Sequence, residues 1–125
     1  VMIEIIEPCG FIINDKRFKR VVMDYLDQKM IKFYKNYDDF FQSKKKEKER
    51  IILMTTKSKN SYTKFNFKIN DTILFGRESA GVPEKIHQSV ANRLKIPLAF
   101  EKRSLNLASS VAIILSESLR QNKLI

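Results

Sequence analysis

Thr72-Ile73-Leu74-Phe75-Gly76-Arg77-Glu78-Ser79-Ala80-Gly81-Val82-Pro83 is the stretch on which the fold turns. A short apolar run stops at a glycine, a polar loop closes on a second glycine, and a proline opens the next element. Such a run reads as a buried strand, and proline is favoured in the first turn of a helix. A second passage lies downstream: Ile96-Pro97-Leu98-Ala99-Phe100-Glu101-Lys102-Arg103-Ser104-Leu105-Asn106-Leu107. Two of the three glycines and two of the three prolines fall in these passages. Tight turns after strands often hold a ligand, and as often merely end a strand.

Outward from these passages, strands and helices alternate. Residues 2–6 read as a strand ended by Glu7-Pro8-Cys9-Gly10, and 15–23 as a helix capped by Asn14 or Asp15. Met30 to Tyr34 predicts a second strand, and Tyr37 to Ser43 a short helix capped near Asn36 or Asp38. The apolar run Arg50 to Met54 is bounded by charge and predicts a fully buried parallel strand. Thr55 to Asn60 reads as a polar loop. A helix over 83–91, a last strand over Leu94 to Pro97, and a helix from Leu107 to Gln121 complete the chain. The pattern predicts an α/β fold with a mainly parallel sheet and helices on both faces.

The 125 residues suit one domain, and 43% hydrophobic content argues against wholesale disorder. The net charge of +10 favours a polyanionic partner, nucleic acid before membrane. Part of that charge lies in Lys44-Lys45-Lys46-Glu47-Lys48-Glu49-Arg50, which reads as a solvated helix end or loop. The single Cys9 excludes an internal disulfide and fits a reducing compartment. With His87 the only histidine, neither a Cys–His catalytic pair nor a His/Cys zinc site is expected, and no metal is predicted. No run has the length of a membrane span, so the reading is cytoplasmic with no membrane partner.

In parallel sheets, ligands bind beyond the carboxyl ends of strands. Three segments are predicted there: Met54 to Lys57, Phe75 to Gly81, and Ile96 to Asn106. Backbone near Gly76 and Gly81 could approach a ligand closely, Ser104 and Asn106 could offer hydroxyl and amide groups, and Glu78 and Arg103 charge. The chain has neither a G-x-G-x-x-G dinucleotide loop nor a Walker A lysine motif. Met54 and Ile96 read either as core residues or as walls of a pocket.

Phe75 to Pro83, then Ile96-Pro97 and Arg103-Ser104-Leu105-Asn106-Leu107, resemble motifs two and three of the SPOUT RNA methyltransferases. Ile5-Ile6-Glu7-Pro8-Cys9-Gly10-Phe11, Asp15 to Arg20, and Asp24-Tyr25 resemble the tRNA (cytidine/uridine-34) 2′-O-methyltransferase branch. The resemblance runs from end to end. It implies a single SPOUT domain over 1–125 with a C-terminal trefoil knot, acting as a homodimer on the anticodon stem-loop of tRNA. It implies S-adenosylmethionine as cofactor, held by Met54, Gly76, Ile96 and Ser104, with Leu98 and Leu105 as backbone partners. By the same resemblance Ser104, Asn106 and Glu78 serve catalysis. Arg77, Arg103, Lys57, Arg17 and Arg20, with Lys16 and Lys19, would meet RNA phosphates. The family's first motif, an Asn-rich loop followed by an arginine, finds no match, so the chain is expected to start at the family's second strand. That leaves two expectations: a wobble-nucleotide ribose methyltransferase, or a truncated remnant that binds cofactor or RNA without turnover.

Overall fold

The computed structural model describes residues 1–7, 30–77, 81–99 and 105–125. They form strands β1 (Ile3–Ile6), β2 (Ile31–Tyr34), β3 (Ile51–Met54), β4 (Thr72–Phe75) and β5 (Asn92–Leu94). The helices are α1 (Tyr37–Glu47), α2 (Glu84–Ser89) and α3 (Leu107–Gln121), and a 3₁₀ turn covers Tyr62–Lys64. Every strand pairing among the described residues is parallel, as the alternating pattern predicts. The predicted helix over 15–23 lies outside the described residues. So do residues 78–80 and 100–104, which the expected knot would involve.

The chain divides into two units, 1–47 and 48–125. In the first, β1 pairs with β2 in the register Ile3↔Ile31 to Ile6↔Tyr34. Helix α1 starts where Asn36 Oδ1 accepts from the Asp39 amide at 2.8 Å. Asp38 and Asp39 in its first turn and Lys44 to Lys46 in its last complement the helix dipole. It runs four residues beyond the predicted end, to Glu47, and stops at Lys48 in a left-handed conformation, φ 56°. The first half of the lysine run is therefore helical. It is also not uniformly solvated, because Lys44 is buried. Its ammonium lies 2.7 Å from Glu4 Oε1, which accepts as well from the Tyr34 hydroxyl at 2.9 Å. Helical spacing explains the exception: Lys44 falls four residues after the buried Phe40, on the same face.

The second unit holds a three-stranded sheet in the order β4-β3-β5. Central β3 buries Ile52 and Leu53 completely, which accounts for its unbroken apolar run. Ile52, Phe67, Leu94 and Ile114 form the core, with Ile114 contributed by α3. Below the sheet's amino-terminal end, Arg50 grips Asp71 with two bonds, Nε to Oδ1 at 2.8 Å and Nη2 to Oδ2 at 2.7 Å. At the far end of α3, Gln121 Oε1 accepts from the Phe67 amide at 2.7 Å, and its Nε2 donates to the Phe65 carbonyl at 2.9 Å.

Two boundaries differ from expectation. Helix α2 begins at Glu84, with Pro83 as its N-cap, and ends at Ser89. Strand β5 is Asn92–Leu94 rather than 94–97. Polar Asn92 and Arg93 hide the strand in the sequence, yet they pair with Ile52 and Leu53. Lys95 leaves the ladder to bridge Ser61, and Pro97 has no amide with which to continue it.

Candidate functional site

The parallel register brings three strand ends together: Met54 of β3 faces Phe75 of β4 on one side and Leu94 of β5 on the other. The segments leading on from these ends are the three singled out in the sequence. Thr55 donates its amide to the Leu94 carbonyl at 2.8 Å, tying the first segment to the end of β5. Met54 and Ile96 are half-buried and pack against the core cluster. They are core residues on one side and retain accessible apolar surface on the other. Leu98 and Leu105 are half-buried too.

The second segment is closed by its own backbone. The Arg77 amide donates to the Gly81 carbonyl at 3.2 Å, and the Gly81 amide returns a bond to the Arg77 carbonyl at 2.8 Å. A Cβ on Gly76 would stand 2.5 Å from the Gly81 carbonyl carbon and 2.7 Å from the Val82 nitrogen. Gly76 is therefore required by the chain's own return path, and a ligand is not needed to explain it. Gly81 is required for a different reason, its φ of +65°.

Asn106 caps α3: its Oδ1 accepts from the Ser109 amide at 3.3 Å, and its carbonyl from the Ser110 hydroxyl at 3.1 Å. Lys57 is exposed and reaches Glu84 at 3.3 Å, an ion pair that holds the Glu84 carboxyl below the usual carboxylate range. Arg77 is exposed at the mouth of the glycine-closed loop. Ser104, Glu78, Arg103, Arg17, Arg20, Lys16 and Lys19 lie outside the described residues, as does Cys9.

Sequence reasoning passed over a linked group beside Met54. His87 on α2 is buried, with Nε2 3.2 Å from Thr55 Oγ1 and Nδ1 3.4 Å from Arg93 Nη1. Arginine can only donate, so the contact suits the tautomer in which Nδ1 accepts and the Nε2 proton faces Thr55. Thr55 Oγ1 accepts also from the Lys57 amide at 3.2 Å, which shapes the turn after β3. The spacing of Thr55, His87 and Arg93 carries no sequence signal; only the parallel pairing of β3 and β5 brings them together.

Met54, Ile96 and Leu98 offer apolar surface for a flat base, and the strand-end backbone offers polar edges. The profile of the SpoU rRNA Methylase family matches residues 2–116. A tRNA (cytidine(34)-2′-O)-methyltransferase from Beijerinckia indica is 44% identical, aligning 94% of this chain with 73% of its own. Its counterpart in Ancylobacter novellus is 43% identical, over 95% of this chain and 75% of its own. A solved structure that addresses 2-OH methylation of C/U34 on tRNA superposes with a TM-score of 0.86 at 28% identity, covering 99% of this chain and 80% of that one. A Bacillus anthracis structure described as an RNA methyltransferase gives 0.82 at 29% identity, covering 98% of this chain and 78% of its own.

Parallel strands whose following loops gather at their carboxyl ends, together with these superpositions, define an α/β fold of the SPOUT methyltransferase class. Within that class, the chain belongs to the SpoU rRNA Methylase family.

Proposed function

We propose that this chain is a tRNA ribose methyltransferase that methylates the 2′-hydroxyl of the wobble nucleotide, position 34. The observation that carries this reading is the similarity to relatives bearing that name, above 40% identity across nearly the whole chain. S-adenosylmethionine, when bound, supplies the electrophilic methyl group. Met54, Gly76, Ile96, Leu98, Leu105 and Ser104 hold it at the strand ends, with the apolar members against the base. Ser104 and Asn106 orient the nucleotide hydroxyl, and Glu78 orders the loop that Gly76 and Gly81 close. Positioning is the main task of such a site, alongside removal of a proton from a weakly acidic hydroxyl. Arg77, Arg103, Lys57, Arg17 and Arg20 meet RNA phosphates. The whole chain serves as one SPOUT domain with a knotted C-terminal region, working as a homodimer in the cytoplasm. A family profile spanning 2–116 supports a single domain.

The deciding measurement is labelled-methyl transfer from S-adenosylmethionine to tRNA, with the product mapped to the ribose at position 34. Cofactor binding with no incorporation at any enzyme concentration would leave a binding protein and overturn the catalytic reading. Asn106 needs paired variants because it also caps α3. Asn106→Ala is expected to lose activity and about 1 kcal/mol of stability. Asn106→Asp keeps a cap acceptor but removes the amide donor, so it should lose activity alone. Full activity in Asn106→Asp would reduce Asn106 to a helix cap.

A further inference from the structure

An open cleft of about 370 Å³ runs beside β5, on residues that no motif marked. Lys59, Ser61, Lys64, Phe65, Asn92 and Arg93 are among its lining. Three of these are cations, and no carboxylate lines the cleft among the described residues. Small-molecule pockets of this size are mostly apolar, with a few polar groups. Here the balance is reversed, which suits an extended anion.

The wall that carries the lysines is held in place. Loop 58–62 is stitched to β5 and the residue that follows it by three bonds: Ser58 Oγ to the Arg93 carbonyl at 2.7 Å, the Lys95 amide to the Asn60 carbonyl at 2.8 Å, and the Tyr62 amide to the Lys95 carbonyl at 3.0 Å. Ser61 Oγ then accepts from the Thr63 amide at 3.2 Å and starts the 3₁₀ turn that presents Lys64. Lys59 and Lys64 are exposed, on flexible stems suited to phosphate as point charges. Arg93 reaches from the cleft to His87, and His87 to Thr55 beside Met54. The cleft and the strand-end site thus share a hydrogen-bonded frame.

We infer that this cleft holds the sugar–phosphate backbone of the RNA, away from the reacting nucleotide, through Lys59, Lys64 and Arg93. The inference rests on the proposed RNA substrate and adds an anchoring site to it. Contacts of this kind fix register without reading sequence.

The test measures tRNA affinity of the full chain against KCl concentration, for the unaltered protein and two double variants. Lys59→Ala/Lys64→Ala is expected to bind about tenfold more weakly near physiological salt. Its log–log salt slope should be shallower by about 1.5, as two lost phosphate contacts require. The loss should fall on KM for tRNA rather than on kcat. Lys45→Ala/Lys46→Ala removes the same charge from the exposed side of α1 and should change the slope far less. Equal changes in both doubles would mean diffuse charge and overturn the cleft; so would unchanged affinity in the first double. If the unaltered chain methylates tRNA and only the cleft prediction fails, the functional reading stands. If it neither binds nor methylates tRNA, both fall.

Discussion

Two glycines five positions apart are needed for opposite reasons, and substitution separates them. At Gly76 the backbone conformation is ordinary, but the space for a Cβ is taken by Gly81 and Val82 backbone, which cannot swing aside as a side-chain tip would. At Gly81 nothing lies within 4 Å of a built Cβ, and only the positive φ disfavours a side chain. Gly81→Ala should therefore destabilise by about 1–2 kcal/mol, with Gly81→Asn milder because Asn tolerates that conformation. Gly76→Ala should force the loop open, losing both thermal stability and S-adenosylmethionine binding. Thermal unfolding and titration calorimetry on the three variants check this. A Gly76→Ala protein that binds cofactor normally would show that the close backbone return is dispensable for the site.

At the scale of elements, α1 carries one charged group turned off its solvated face, and α3 one carboxylate held by its own helix neighbours. Lys44 is 5% exposed and Glu4 14%, so removing one partner leaves a poorly hydrated charge. Lys44→Ala should cost about 3 kcal/mol, and Lys44→Met nearly as much, because it keeps the stem volume but leaves the Glu4 carboxylate without its cation. Urea unfolding of both variants decides it, and a much smaller loss in Lys44→Met than in Lys44→Ala would point to packing instead of charge. On α3, the Arg120 guanidinium and then the Gln121 amide hold the Glu117 carboxyl down to about 2. The folded value lies below the unfolded one, so this stabilisation is complete above about pH 4.5 and fades as pH falls towards 2. A carboxyl titration followed by NMR should show a Glu117 midpoint near 2 that rises in Arg120→Ala. A midpoint near 4.5 in the unaltered protein would mean that the pair does not hold in solution. Helix α3 was legible in full, from Leu107 to Gln121, because its apolar residues keep helical spacing and no Gly or Pro interrupts them. The end of α1 was not, since a lysine run looks solvated until helical geometry turns one member inward.

For the whole molecule, the alternation of strands and helices announced parallel pairing, and the apolar run at β3 announced its central place. The position of β5 was hidden because its residues are polar and its partners lie far away in sequence. The strand-end segments of the candidate site were legible for the same reason the fold was, since parallel sheets put their loops on one edge. The Thr55–His87–Arg93 frame was not legible, being made only when β3 and β5 align. That all-parallel pairing has a kinetic side. Residue 51 pairs with 72, residue 52 with 92, and residue 3 with 31. No strand among the described residues meets its neighbour through a tight hairpin, so long loops must close before any ladder rewards them. Chains dominated by such distant pairings fold slowly, on the order of milliseconds to seconds. While they wait, strands such as Ile51–Met54 stand bare, so the run that makes the firmest centre of the finished sheet is also the segment most exposed to aggregation in a newly made chain.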